Sequence, residues 1–116
     1  MHLTPSEAFW IGCVGYPALE LLYRKRTHPA VALAGGLSCF ALTQLGRRKY
    51  SLLRTSIFGG CAITFIELVL GLTFNRRHHI WDYRHLPFNL QGQICLPFLL
   101  VWVALSSAYL KLFEGK

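Results

Sequence analysis

The distribution of charge along this chain constrains its fold more than any other feature. Lysine and arginine concentrate in short clusters near residues 24–26, 47–54 and 76–84. The stretches between these clusters are long, apolar and almost free of charge. Basic loops that separate apolar runs of this length are typical of helices that cross a lipid bilayer. The pattern therefore predicts an integral membrane protein.

The overall composition agrees with the charge pattern. Of the 116 residues, 53% are hydrophobic and 15% are charged, whereas a soluble domain carries about 25% charged residues. A formal net charge of +7 would suggest nucleic acid as the partner of a soluble protein. Here the basic groups interrupt apolar runs and do not line one face, so the expected partner is membrane lipid with anionic headgroups, and not nucleic acid.

The apolar runs predict four helices, at about residues 8–23, 29–45, 52–74 and 94–112. Backbone groups cannot stay unpaired in lipid, and single segments of this length satisfy them only as helices. The first run lacks a preceding basic region and a small-residue cleavage pattern, so we expect it to be retained as a span. The expected fold is an all-α integral membrane protein, a four-helix transmembrane bundle forming one domain over residues 1–116.

The connection between the third and fourth runs is the only long one. It carries aromatic, acidic and amide residues together with proline and glycine, in the stretch from Trp81 to Gln93. Its apolar and aromatic content predicts a re-entrant or interfacial segment that packs on the bundle. Such a segment is where a specific site is expected.

The basic residues do not determine how the bundle is oriented in the membrane. With four spans, each membrane side carries six lysines and arginines, so the preference for positive loops in the cytoplasm does not choose between the sides. Either the first and third loops face the cytoplasm, or the chain inserts both ways and pairs as an antiparallel dimer. A homo-oligomer is expected in the bacterial cytoplasmic membrane.

Glu67 is the sharpest single residue in the apolar runs. It lies seven residues before the end of the third run, about 10 Å inside it by helical rise. An intramembrane carboxylate is costly and usually faces a cavity or a partner. Ser56, Gly60, Thr64 and Gly71 lie at helical spacing around it and form a small and polar stripe. Glu67 either faces a polar cavity or is a protonated or paired group that holds the bundle together.

Glu20 is the second acid inside an apolar run. It follows Pro17 by about one helical turn, and proline inside a helix frees a backbone carbonyl. Glu20 therefore contributes to a site, or else it reaches the interface and pairs with Arg24 four residues later.

The long connection supplies further candidates for solute binding. Trp81 and Tyr83 are suited to wall a pocket at the interface, while Asp82, Asn89 and Gln93 carry the carboxylate and amide groups that would contact a solute. The alternative is a structural plug, in which these groups satisfy the backbone of a re-entrant turn.

Metal and cofactor chemistry have little support in the sequence. One group of potential ligands lies close together in the long connection, but its spacing matches no metal signature: His78, His79, Asp82 and His85. The four cysteines fall in separate apolar runs, and no Walker A or H-E-x-x-H motif is present. We therefore expect neither a metal site nor a cofactor.

The motif W-D-Y…L-P-F-N…G-Q-I-C-L, between Trp81 and Leu96, resembles the signature of a known family. This is the small bacterial membrane family labelled "putative ABC-transporter type IV" or "putative ABC transporter permease". Glu67, and Gly15-Tyr16 with Glu20, also look like positions of that family's pattern. The resemblance implies a multi-pass membrane fold and a role in transport.

The residues and the resemblance together predict a permease-like protein. It would bind a small polar or cationic solute in an intramembrane pocket, with Glu67 as charge partner or proton acceptor. One alternative is an accessory subunit of a larger membrane complex. Another is a membrane-embedded enzyme that acts on lipid, with Asp82, His85 and Glu67 as acid and base. Between an enzyme and a protein without catalytic activity, we expect the latter.

Overall fold

A computed structural model of the chain describes residues 3–25 and 27–116. It contains four helices and one short two-stranded hairpin: α1 (Pro5–Arg24), α2 (Pro29–Gly46), α3 (Leu52–Phe74), β1 (Asn89–Leu90), β2 (Ile94–Cys95) and α4 (Leu96–Phe113). Helices α2, α3 and α4 are each long and apolar enough to cross a membrane. The predicted all-α integral membrane bundle is confirmed, and the protein contacts lipid through these helices.

Local sequence signals explain where the first two helices begin. Thr4 precedes α1 and forms a capping box with Glu7: the Glu7 backbone N–H donates to Thr4 Oγ1 over 3.1 Å, and the Thr4 N–H donates to Glu7 Oε1 over 2.9 Å. His28 precedes α2, and its Nδ1 accepts the Ala30 N–H over 3.0 Å. Pro5 and Pro29 follow these caps, at positions where a missing N–H costs nothing.

Neighbouring helices run antiparallel, and polar contacts at one end of the bundle show this. Arg47, just after α2, donates from Nη2 to the Leu3 carbonyl over 2.9 Å. Lys116 donates from Nζ to the carbonyls of Arg48 over 3.1 Å and Tyr50 over 2.7 Å. The start of α1, the α2–α3 connection and the end of α4 therefore lie together, and the long connection lies at the opposite end.

Helices α1 and α2 approach each other closely through glycines. A Cβ atom added at Gly12 would lie 1.9 Å from the Gly35 carbonyl oxygen, and one added at Gly36 would lie 2.5 Å from Cys13 Sγ. Small residues at such crossings let two membrane helices come into backbone contact. The contact holds α1 against the rest of the bundle.

We expect Gly12→Ala to destabilise the protein by roughly 1–3 kcal/mol, because the added methyl group must push α1 away from α2. The matched control is Gly15→Ala on the same helix, where a Cβ atom meets no described atom within 4 Å. Unfolding in detergent, followed by circular dichroism, measures both variants. Equal stability of the two variants would contradict the close packing.

Buried side chains of the long connection form a core with α2 and α3. The members of this cluster are Ala30, Val31, Ala34, Leu70, Ile80, Trp81, Tyr83 and Cys95. The long connection thus packs on the bundle as an ordered part of the fold, and it carries side chains into the space between the helices.

Candidate functional site

Asn75 organises the long connection, which we call the connecting segment (residues 75–95). Its side chain is buried, with 1% of its surface exposed. Oδ1 accepts the backbone N–H groups of Ile80 over 2.8 Å and Trp81 over 3.3 Å. Nδ2 donates to the Trp81 carbonyl over 2.6 Å and to Gln93 Oε1 over 3.0 Å. One amide therefore joins the end of α3, the middle of the segment and its return toward α4.

Gln93 completes the same network. Its Nε2 donates to the Asn75 carbonyl over 2.9 Å, and its own carbonyl accepts the Trp81 indole N–H over 2.9 Å. Gly71 leaves the room for this side chain, since a Cβ atom there would lie 2.3 Å from Gln93 Oε1. Gln93 is buried and its amide binds the backbone of the connecting segment.

The hairpin closes the segment and orients Tyr83. Gln91 and Gly92 have positive φ values of 53° and 70° and form the turn between the strands. The Gly92 carbonyl accepts the Tyr83 N–H over 2.9 Å. This bond holds the backbone of Tyr83 so that its ring is buried among the helices.

Glu67 lies on α3, and donors from two other elements bind it. Tyr83 donates its hydroxyl proton to Oε2 over 2.9 Å, and the Trp102 indole N–H donates to Oε1 over 2.7 Å. Only 4% of the Glu67 surface is exposed. The carboxyl group therefore links α3 to the connecting segment and to α4.

Tyr83 acts as the donor in this contact. Burial raises the pKa of the Tyr83 hydroxyl far above its usual range, and the neighbouring Glu67 carboxyl acts in the same direction. The hydroxyl therefore keeps its proton at physiological pH and stays available to Glu67.

Aromatic rings pack against the two residues that donate to the Glu67 carboxyl group. The rings of Tyr83 and Phe98 stack with their centroids 4.6 Å apart. Trp102 lies 5.8 Å from Phe98 and 5.9 Å from Tyr16, again between ring centroids. Rings of this kind attract cations through their faces.

These groups line a cavity of about 600 Å³, which we call the aromatic cleft. Its walls come from all four helices and the connecting segment: Tyr16, Leu19, Glu20, Tyr23, Val31, Ala34, Glu67, Trp81, Tyr83, Phe98, Val101, Trp102 and Leu105. Leu19 on α1 and Leu105 on α4 are 54% and 51% exposed. Apolar side chains of α1 and α4 thus form part of the rim of the cleft.

Four of the expected site residues line this cleft. They are Glu67, Glu20, Trp81 and Tyr83. Glu20 was expected either to join a site or to pair with Arg24, whose side chain lies outside the described part of the structure, as does Arg26 of the same basic cluster.

The other three expected residues, Asp82, Asn89 and Gln93, do not line the aromatic cleft. Asp82 accepts two bonds from the Arg84 guanidinium, at 2.9 Å and 2.7 Å, and these bonds hold the pKa of the Asp82 carboxyl well below its usual range. Asn89 Nδ2 donates to the Leu86 carbonyl over 2.9 Å, and its Oδ1 accepts the Gly92 N–H over 3.0 Å. In the structure these polar groups hold turns of the segment.

The proposed acids and bases of a lipid-modifying enzyme do not all line the cleft. Glu67 lines the cleft, whereas Asp82 and His85 do not. Within residues 3–25 and 27–116, no three His, Cys, Asp or Glu side chains come together as a possible metal site.

Several residues that build the cleft or hold the connecting segment were not among the sequence candidates. Trp102 makes the shorter of the two hydrogen bonds to Glu67, and Asn75 makes the shortest hydrogen bond within the connecting segment. Tyr16 and Phe98 extend the aromatic wall of the cleft. Trp102 had a usable signal, because a buried indole N–H inside an apolar run needs an acceptor. Asn75 had a weaker one, since it directly follows the last residue of α3.

Residues 26–115 match the family described as "Putative ABC-transporter type IV". The chain belongs to this family. The match covers α2, α3, the connecting segment and α4, and so includes Glu67 and Tyr83. Searches of curated proteins and of solved structures found no match to the chain. As a type IV family member with three membrane-span-like helices, the chain is a transport-related integral membrane protein.

Proposed function

We propose that this protein binds a small organic cation in the aromatic cleft and acts as a permease-type component in moving it across a bacterial cytoplasmic membrane. One observation carries the proposal: Glu67 is a buried acid at a cleft whose other lining residues, apart from Glu20, are apolar or aromatic. A carboxylate at membrane depth is costly and marks functional sites by default. A cation with apolar groups would pair with the Glu67 carboxylate and pack against the apolar and aromatic walls.

The aromatic rings strengthen the preference for a cation. An ammonium or similar group over a tyrosine or tryptophan face gains about 0.5–2 kcal/mol per ring, more when water is excluded. Tyr83 and Trp102 hold the Glu67 carboxyl group by hydrogen bonds and also wall the cleft. A strongly hydrated ion such as sodium would gain little from these walls, so we favour an alkylated or aromatic cation.

The rim of the cleft supports access from the lipid. Leu19 and Leu105 are exposed apolar side chains on α1 and α4, and Val101 lies beside them on α4. A solute that partitions into the bilayer would reach Glu67 between these helices without crossing a hydrated channel.

Two probes of the same size and opposite charge test this proposal. We expect tetraphenylphosphonium to bind to protein in neutral-lipid nanodiscs at least tenfold more tightly than tetraphenylborate, because a carboxylate attracts only the cation. Equilibrium dialysis measures both, after subtraction of uptake by protein-free nanodiscs. Equal binding of the two probes would contradict the proposal, and co-purification of the protein with an ATPase in that case would favour an accessory subunit.

We also propose a homo-oligomer in which residues 1–116 form one transmembrane domain, with α1 as its fourth span. Support comes from the position of the cleft rim at the outer faces of α1 and α4, where a second copy would add to the wall of the cleft and leave part of the rim open to lipid. The equal basic content of the two membrane sides supports an antiparallel pair. Native mass spectrometry of the same particles counts the chains, and full cation binding by single chains would contradict the oligomer.

A further inference from the structure

A second depression, of about 590 Å³, lies on the connecting segment and shares no lining residue with the aromatic cleft. Two arginines, Arg76 and Arg84, line it together with His78 and amide side chains of the hairpin. The guanidinium group presents five donors in a planar fork that matches phosphate oxygens. The chemistry of this depression is therefore suited to an anion, in contrast to that of the aromatic cleft.

Hydrogen bonds hold the basic groups in place. Arg76 donates from Nε to the Leu72 carbonyl over 2.8 Å, which fixes one edge of its guanidinium at the end of α3. His78 Nε2 lies 2.8 Å from the Gln91 carbonyl oxygen and so links the two sides of the depression. A donor group that is already held in place loses less entropy when it binds a ligand.

The charge balance of the segment is positive. Residues 75–95 contain three arginines and one acid. That acid, Asp82, forms an ion pair with Arg84 at 2.7 Å. Arg84 is therefore largely neutralised by its neighbour, and the remaining positive charge belongs to Arg76 and Arg77. Of these two, Arg76 lines the depression.

Apolar side chains adjoin the basic groups. Leu72 lines the depression and is 39% exposed, and Phe88 and Leu90, on either side of Asn89 in the chain, are 81% and 50% exposed. This mixture lies at one end of α3, a helix apolar enough to cross a membrane. Phosphate groups of lipids occupy the same depth as the ends of such helices, and basic pockets there bind lipid headgroups.

We propose that this depression binds a phosphate ester, with the Arg76 guanidinium as the principal donor. Two sources carry this chemistry: the headgroup of an anionic phospholipid and a soluble phosphate ester. The apolar side chains beside the arginines favour the lipid. The proposal is independent of what the aromatic cleft binds.

The test compares phosphatidylglycerol with glycerol phosphate as probes of the full chain in neutral detergent, by native mass spectrometry and calorimetry. We expect Arg76→Gln to weaken phosphatidylglycerol binding roughly tenfold, because it removes charge-assisted hydrogen bonds. The control is Arg54→Gln, which makes the same change of charge at an exposed arginine at the opposite end of the bundle, 5.8 Å from the Tyr50 ring. Its effect should stay below about twofold.

Each outcome of this comparison decides a point. A selective loss with Arg76→Gln for the lipid alone supports a headgroup site, and the same loss with glycerol phosphate supports a phosphate site with a soluble source. Equal losses with both arginine variants, or no loss with Arg76→Gln, would overturn the proposal. Both side chains are exposed, so neither substitution should unfold the protein. Melting temperatures of the variants check this.

Discussion

Replacing Glu67 with glutamine is expected to weaken the binding of tetraphenylphosphonium on the order of a hundredfold, the equivalent of roughly 3 kcal/mol. The substitution removes the negative charge but keeps the shape of the side chain. The amide oxygen still accepts the Trp102 indole N–H, and the amide nitrogen faces the Tyr83 oxygen, which has a lone pair to accept with. The shape of the cleft is therefore preserved while the negative charge of Glu67 is lost.

The matched control for this variant is Glu114→Gln. Glu114 is also a buried acid, with 6% of its surface exposed, but it follows α4 at the opposite end of the bundle. Equilibrium dialysis of both variants should show loss of binding for Glu67→Gln alone, and melting temperatures separate lost binding from lost folding. If Glu67→Gln binds the cation as tightly as the native protein does, the carboxyl group serves only to join α3, Tyr83 and Trp102.

The largest loss of stability is expected from Asn75→Ala, at roughly 3–5 kcal/mol. The truncation leaves the Ile80 N–H, the Trp81 carbonyl and Gln93 Oε1 without their partner inside the protein. A buried polar group left without a partner costs about 1–3 kcal/mol, and these costs accumulate over the network. Because the same segment carries Tyr83, the variant should also weaken binding in the aromatic cleft.

Hydrogen exchange gives the most direct measurement of this effect. The amide protons of Ile80 and Trp81 should exchange much faster in Asn75→Ala, while those in the middle of α3 keep their protection. Asn89→Ala is the control, since Asn89 belongs to the same segment but is exposed, and its loss should cost less than about 1 kcal/mol. Similar exchange and stability in the two variants would show that the Asn75 network does not hold the segment.

The connecting segment contributes to two sites, the aromatic cleft around Glu67 and the second depression lined by arginines. Its inner side presents Trp81 and Tyr83 to the cleft, and its outer side presents Arg76 and Arg84 to the second depression. Both regions depend on the fold that Asn75 and Gln93 hold. A lipid bound outside would therefore contact the same segment that positions the cleft donors.

The positions of the helices follow closely from local patterns, because apolar runs and caps act over a few residues. Helix α3 coincides with the apolar run at 52–74, between the Ser51 cap and Asn75. The first residues of α1 and α4 differ from the predicted starts at residues 8 and 94 for local reasons. Helix α1 already begins at Pro5 because Thr4 and Glu7 cap it, and α4 begins at Leu96 because Ile94 and Cys95 pair with β1.

The sequence alone indicated that Glu67 needs a cavity or a partner, because the cost of placing a carboxylate in the membrane does not depend on the details of the fold. It did not decide which polar residues of the connecting segment face the helices and which face outward. Asn75 bonds Gln93 across 18 positions, and Glu67 bonds Trp102 across 35. Local patterns contain no information on pairings at such separations.

The sequence by itself determined that this chain is a helical membrane protein, where its helices lie and that two of them carry an acid, Glu20 and Glu67. Only the tertiary structure decided that Tyr83 and Trp102 meet Glu67, and that Asn75 and Gln93 hold the connecting segment together. The physical reason is that apolar burial acts through composition and short-range periodicity, whereas hydrogen bonds need two specific groups within about 3 Å of each other.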